Sequence, residues 1–172
     1  MTGATNPLVA TVIPILNEQD SIIACLSSLV NQTVSFEQHI VVVLDGGSTD
    51  QSVKLIEQFI EQNTEGPEII LTKNDGKYVA EARNLAMDLV PNSVKYFLEI
   101  IGHCTVNKNH IAILLEEMAR LESVNEQPIG ALGCKVSSRL GQLELVESWV
   151  EGALLSPFGS GSGQFDNFTG TV

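Results

Sequence analysis

The run "QHIVVVLDGGSTD", residues 38–50, decides the fold class. Ile40, Val41, Val42 and Val43 are all β-branched and Leu44 extends the run, so the backbone prefers to be extended. The apolar character is nearly continuous rather than alternating, which implies a strand covered on both faces, as in the middle of a parallel sheet. The loop that follows puts a carboxylate, Asp45, at the strand end, then two glycines, then Ser48 or Thr49 as the N-cap of a helix. A carboxylate in that place can accept hydrogen bonds from a ligand's ring N–H or ribose hydroxyl. It can equally stabilise the turn and the helix N-terminus, and the loop alone fits both.

Reading outward, the same alternation continues in both directions. Upstream, "LVATVIPIL" (8–16) is a strand, and residues 18–32 form a helix with Ile22, Ile23, Leu26, Leu29 and Val30 on one face. Asn17 is its expected N-cap, with Asp20 at the third helical position. Downstream, a second helix turns Val53, Ile56, Phe59 and Ile60 inward, and "EIILT" (68–72) is the next strand. A third helix (78–90) buries Val79, Ala82, Leu85 and Leu89 and stops at Pro91, which has no amide to donate. "VKYFLEIIGHC" (94–104) reads as a buried strand running into a Gly-His-Cys turn. Residues 108–122 carry the stripe Ile111, Leu114, Leu115, Met118 and Leu121, and "IGALGCKVSS" (129–138) reads as a fifth strand. Such alternation predicts an α/β chain with an open sheet and right-handed crossovers.

From 139 onward the pattern loosens. "GSGSG" (159–163) follows no clear strand and opens no clear helix, so it reads as a loop rather than a phosphate cradle.

With 172 residues, 44% of them apolar, the chain can bury one ordinary core. Nine Lys and Arg against 21 Asp and Glu give a formal charge of −12, without a basic stripe, which argues against a nucleic-acid partner. No apolar run is long enough for a membrane span, and the N-terminus lacks the pattern of a signal peptide, so a cytoplasmic location is expected. Cys25, Cys104 and Cys134 are scattered and contain no CxxC pair, which suggests small core residues rather than disulfides or zinc ligands. The glycosylation patterns at Asn31 and Asn167 have no secretory context and are read as chance.

In an open α/β sheet, ligands bind outside the carboxyl ends of the strands. The candidates there are Pro14, Leu16, Asn17 and Glu18, then Asp45 to Asp50, Lys73 to Lys77, and Gly102, His103 and Cys104. Neither GxxxxGK[ST] nor GxGxxG occurs in the chain.

Together, "VIPILNEQDSIIACLSSLVNQT", "IVVVLDGGSTDQS" and "AEARNLAMD" resemble family 2 glycosyltransferases of the GT-A fold, in order and spacing, over roughly residues 8–135. "GHCTVNKNHI" and "SPFGSGSGQF" are similar to the succinoglycan and exopolysaccharide branch. The resemblance implies an open, mainly parallel GT-A sheet with helices on both faces, C-terminally incomplete. On this reading, residues 1–172 are a single domain, with a nucleotide-sugar-binding core at 8–135 and an incomplete acceptor-side segment at 136–172.

The implied reaction transfers a sugar from a nucleotide-diphosphate donor, a UDP-sugar first, to a saccharide or lipid-linked acceptor in polysaccharide biosynthesis. By resemblance, Pro14 and Leu16 line the base, Glu18 lies near it, Asp45 hydrogen-bonds it, and Lys77 and Arg83 reach the phosphates. Arg83 can instead pair with an acidic neighbour in the helix layer. A divalent cation, Mn²⁺ or Mg²⁺, is implied on a D-x-D or D-x-H motif at 101–103. This chain has Ile101-Gly102-His103, so the first carboxylate is missing and His103 is the remaining ligand. Glu99 can substitute only if the strand end shifts.

The general base is expected in an acceptor half beyond the chain, and Asp166 is not a convincing substitute. Membrane association, at the inner face, would come only through that missing part. The competing reading is a catalytically inactive nucleotide-sugar-binding or interaction module. A nucleotidyltransferase is set aside, because the glycine-rich first loop with basic residues is absent.

Overall fold

The computed structural model describes residues 6–133 other than 77 and 126. Contacts divide the chain into two compact units, Met1–Gln127 and Pro128–Val172. All elements named below lie in the first. In the second, the described residues 128–133 form neither helix nor strand. The fifth strand expected at 129–138 is therefore not formed at 129–133, and 134–138 lie outside the described residues, as does Cys134.

Among the described residues, four strands and four helices alternate: β1 (Val9–Ile15), α1 (Ile22–Val30), β2 (His39–Asp45), α2 (Ser52–Gln62), β3 (Glu68–Lys73), α3 (Val79–Leu89), β4 (Tyr96–Glu99) and α4 (His110–Val124). A short 3₁₀ turn, Phe36–Gln38, leads into β2. The strands form one sheet in the order β3-β2-β1-β4, and every pairing is parallel. All seven residues of β2 are buried, which agrees with the central position expected from its unbroken apolar run.

The pleat of β1 and β2 divides the core. Ile13, Ile15, Val41 and Val43 face Ile22, Cys25, Leu26 and Leu29 of α1 and Ile56 of α2. Val12, Val42 and Leu44 face Ala82 and Ala86 of α3 on the other side. Small side chains let α3 approach the sheet closely. Ala86 completes that face in place of the expected Val79, which is exposed.

Two expectations are corrected by the packing. β4 is shorter than expected and its side chains alternate between half-buried and exposed, because among the described residues it pairs only with β1. Its register opposite Ala10 and Val12 places Phe97 and Glu99 on the α3 face, where Phe97 stays 47% exposed. α1 begins at Ile22, not beside Asn17, and Ser21 is its N-cap residue. Asn17 has φ of +57°, in the left-handed region that asparagine tolerates, and residues 18–21 form a turn instead.

α4 is joined to the end of α1 by Gln32. Its side-chain oxygen accepts from the Ile111 amide at 3.0 Å, and its amide nitrogen donates to the Asn107 carbonyl at 2.8 Å. Among the described residues, no helix is long and apolar enough to cross a membrane.

Candidate functional site

The strand order marks where a site belongs. α1 and α2 pack on one face and α3 on the other, so the chain leaves β1 toward one side and reaches β4 from the opposite side. The chain order of the strands reverses between β1 and β4, and the carboxyl edge at such a reversal is where open α/β sheets bind ligands; the loops after β1 and β4 meet there through Glu18 and His103.

The loops after β1 and β2 are laced together. The amides of Asn17 and Glu18 donate to the hydroxyls of Ser48 (2.9 Å) and Ser52 (2.8 Å), and the Gln19 amide donates to Asp50 (3.1 Å). In return, the Thr49 amide donates to the Asn17 side chain at 2.8 Å and the Gln51 amide to the Gln19 side chain at 3.1 Å. Asp50 also accepts from the Ser52 amide at 2.9 Å, a side-chain turn just ahead of α2, whose N-cap position is Gln51 and not the expected Ser48 or Thr49. Burial pushes the Asp50 carboxyl up, but hydrogen bonds from Ser52 and the Gln19 amide outweigh it and hold the group below the usual range. This clamp uses Asn17, Gln19, Thr49 and Ser52, which the sequence reading had not linked. The only hint of it was the density of hydroxyl and amide side chains in both loops.

Asp45 closes β2 and is buried. One carboxylate oxygen accepts from the Ser48 amide at 2.9 Å and the other from the Gly47 amide at 3.2 Å, while its carbonyl accepts from the Asn74 amide at 2.7 Å. Gly47 has φ of +97°, which L side chains rarely adopt, so a glycine is needed here to turn its amide toward Asp45. An ionised carboxylate offers about four lone-pair sites, so these two amide bonds leave room for a ligand donor.

Pro14 is half-buried in β1 and Leu16 is 56% exposed just beyond it. Glu18 is held on three sides. Its carboxylate accepts from the Ser21 hydroxyl at 2.9 Å and lies 2.9 Å from Nδ1 of His103, and its Cγ would sit 2.9 Å from any Cβ placed on Gly102. Thus the loop after β1 touches both neighbouring loops. Arg83 forms a two-pronged pair with Glu99, at 2.6 and 2.7 Å, which is the helix-layer alternative for this residue. Lys77 lies outside the described residues.

The donor set at the end of β4 does not fit a divalent cation. Ile101 stands where a first carboxylate is required, Glu99 is engaged by Arg83, and Glu18 is shared between Ser21 and His103. Among the described residues, no three His, Cys, Asp or Glu side chains gather so as to hold a metal ion.

The sequence profile described as Glycosyl transferase family 2 matches residues 11–138, which span β1 to α4 and the loops at the carboxyl edge of the sheet. The chain belongs to glycosyl transferase family 2. Among curated proteins, it is 29% identical over 102 residues to glycosyltransferase AglE of Haloferax volcanii, covering 59% of this chain and 32% of AglE. It is 37% identical over 68 residues to the poly(ribitol-phosphate) beta-glucosyltransferase of Bacillus spizizenii, covering 40% of this chain and 11% of that protein. The chain thus spans a third or less of these relatives.

Family 2 membership agrees with the architecture. The crystal structure of S. aureus TarS 1-349 in complex with UDP superposes with a TM-score of 0.55 at 20% identity, covering 65% of this chain and 32% of TarS. The complex with UDP-GlcNAc gives 0.52 at 19% identity, covering 75% and 37%. The shared feature is the fold, an open parallel GT-A sheet with helices on both faces.

Proposed function

We propose that this chain is the donor-binding part of a glycosyltransferase that moves a sugar from a nucleotide-diphosphate sugar, a UDP-sugar first among them, to a saccharide or lipid-linked acceptor in polysaccharide synthesis. The observation that carries this reading is the carboxyl edge of the sheet, where clamped loops hold a buried Asp45 with spare acceptor capacity. TarS, of the same fold, has been crystallised with UDP and with UDP-GlcNAc.

In this proposal Pro14 and Leu16 line the base, Asp45 accepts from it and Lys77 meets the phosphates, while Arg83 stays paired with Glu99. Displacement of the diphosphate with inversion also needs a base on the acceptor hydroxyl. That base belongs to an acceptor-side segment of the kind carried by longer members. Within the family, "GHCTVNKNHI" and "SPFGSGSGQF" favour the exopolysaccharide branch, with work at the inner face of a membrane.

Calorimetry with UDP-sugars tests the donor reading. Micromolar to millimolar binding is expected, weakened about tenfold by Asp45→Ala, the loss of one charge-assisted hydrogen bond. No binding of any nucleotide sugar would sink it. A second reading, binding without catalysis, is favoured by Ile101 in place of a carboxylate at the end of β4. Metal-dependent sugar transfer or donor hydrolysis by the chain would refute that alternative.

A further inference from the structure

Glu18 and His103 come from loops 85 residues apart in sequence, and the structure joins them at 2.9 Å. An ionised carboxylate can only accept, so the proton between them is on Nδ1 of the imidazole. Two features make this contact more than a surface ion pair. The Glu18 side chain is only 19% exposed, and its other oxygen is held by Ser21. The close approach of its Cγ to Gly102 also leaves no room for a side chain there, so the loop after β4 is moulded around this one glutamate. The ring is 58% exposed, with Nδ1 committed and Nε2 facing away from Glu18.

We propose that Glu18 is a positioning residue: its carboxylate fixes the tautomer and orientation of His103, so that Nε2 is the nitrogen left to meet the phosphate groups of the donor. This rests on the donor-binding reading above and changes the role of Glu18 within it, from a neighbour of the base to a support for the imidazole. A carboxylate behind one imidazole nitrogen is a general way of directing the other nitrogen toward a ligand.

Two measurements on the full chain test this. Long-range ¹H–¹⁵N NMR in alkaline buffer, where imidazoles are neutral, reads the tautomer directly, with His103 assigned by its loss in His103→Ala. The expected result is Nδ1–H in the wild type and in Glu18→Gln, whose amide oxygen still accepts, and a shift toward Nε2–H in Glu18→Ala. Titration with UDP-GlcNAc forms the second arm. Glu18→Ala is expected to weaken binding about tenfold, Glu18→Gln to recover most of that loss, and Glu18→Ala to add nothing in a His103→Ala background.

An Nε2–H ring in the wild type overturns the proposal, as does an undiminished effect of Glu18→Ala when His103 is absent. If the wild type binds no nucleotide sugar, the donor-binding reading fails and with it the phosphate contact, while the tautomer still decides the positioning role.

Discussion

Ile101 is the residue at which this chain departs most from a cation site. It is 47% exposed, so its side chain is not required by the core. Replacing it with Asp would place a hard oxygen donor two residues before His103. Ile101→Asp is expected to gain at least tenfold in Mn²⁺ affinity over the diffuse binding that a chain of net charge −12 shows anyway, measured as loss of the free-ion EPR signal. Unchanged binding would count against placing the family's metal position at 101–103. Sequence alone showed that a carboxylate was missing there. It did not show that Glu99, the nearest substitute, is engaged by Arg83, because that pairing depends on how α3 crosses β4.

At the scale of elements, the clamp between the loops after β1 and β2 fixes their positions at the carboxyl edge of the sheet. Ser52 is fully buried at the start of α2 and its hydroxyl receives the Glu18 amide. Ser52→Ala leaves that amide without a partner and is expected to cost about 1–3 kcal/mol in urea unfolding. Ser48→Ala, nearer solvent, should cost about 1 kcal/mol or less. Equal losses would show that burial at Ser52 carries no weight.

The same clamp explains why two helix starts were misplaced. Asn17, Ser48 and Thr49 have good capping chemistry, but each spends it on the neighbouring loop. Local pattern predicts which residues can cap, whereas the cross-loop partner determines whether they do. The strands are legible to within a residue or so for β1, β2 and β3, because turn-forming residues close the apolar runs, Asn17 after β1, Gly46 and Gly47 after β2, and Pro67 and Asn74 around β3. β4 is less so, since its residues alternate between half-buried and exposed, which the apolar run masks.

At the scale of the whole molecule, the parallel sheet buries a titratable group. His39 opens β2 at 2% exposure, hydrogen-bonded to Thr11 at 2.8 Å, and burial pulls its pKa from 6.5 down to about 4. The folded chain therefore keeps this imidazole neutral while the unfolded chain protonates it. The stability it contributes is complete above 6.5 and is lost as pH falls toward about 4. Between about pH 7 and pH 5 the loss is about 2 kcal/mol, and His39→Gln should remove that part of the pH dependence in urea unfolding. A slope unchanged in the variant would assign the effect to other groups.

Burial acts on Cys25 as well. Chiefly desolvation, then the nearby Cys104 and Glu18, pushes its thiol up to about 12, so a maleimide reagent should modify the half-buried Cys104 in the folded chain and reach Cys25 only on unfolding.

By itself, the amino-acid sequence determined the succession of strands and helices, the central place of β2, and the loops in which a ligand site could lie. These follow from local preference and from the period of apolar side chains, which act over a few residues at a time. Only the tertiary structure decided which of those loop residues hold one another. Whether Glu18 meets a nucleotide or an imidazole, and whether Arg83 meets a phosphate or Glu99, depends on contacts across 85 and 16 residues of chain. Hydrogen bonds of that kind need the assembled sheet, which brings the carboxyl ends of its strands to one edge.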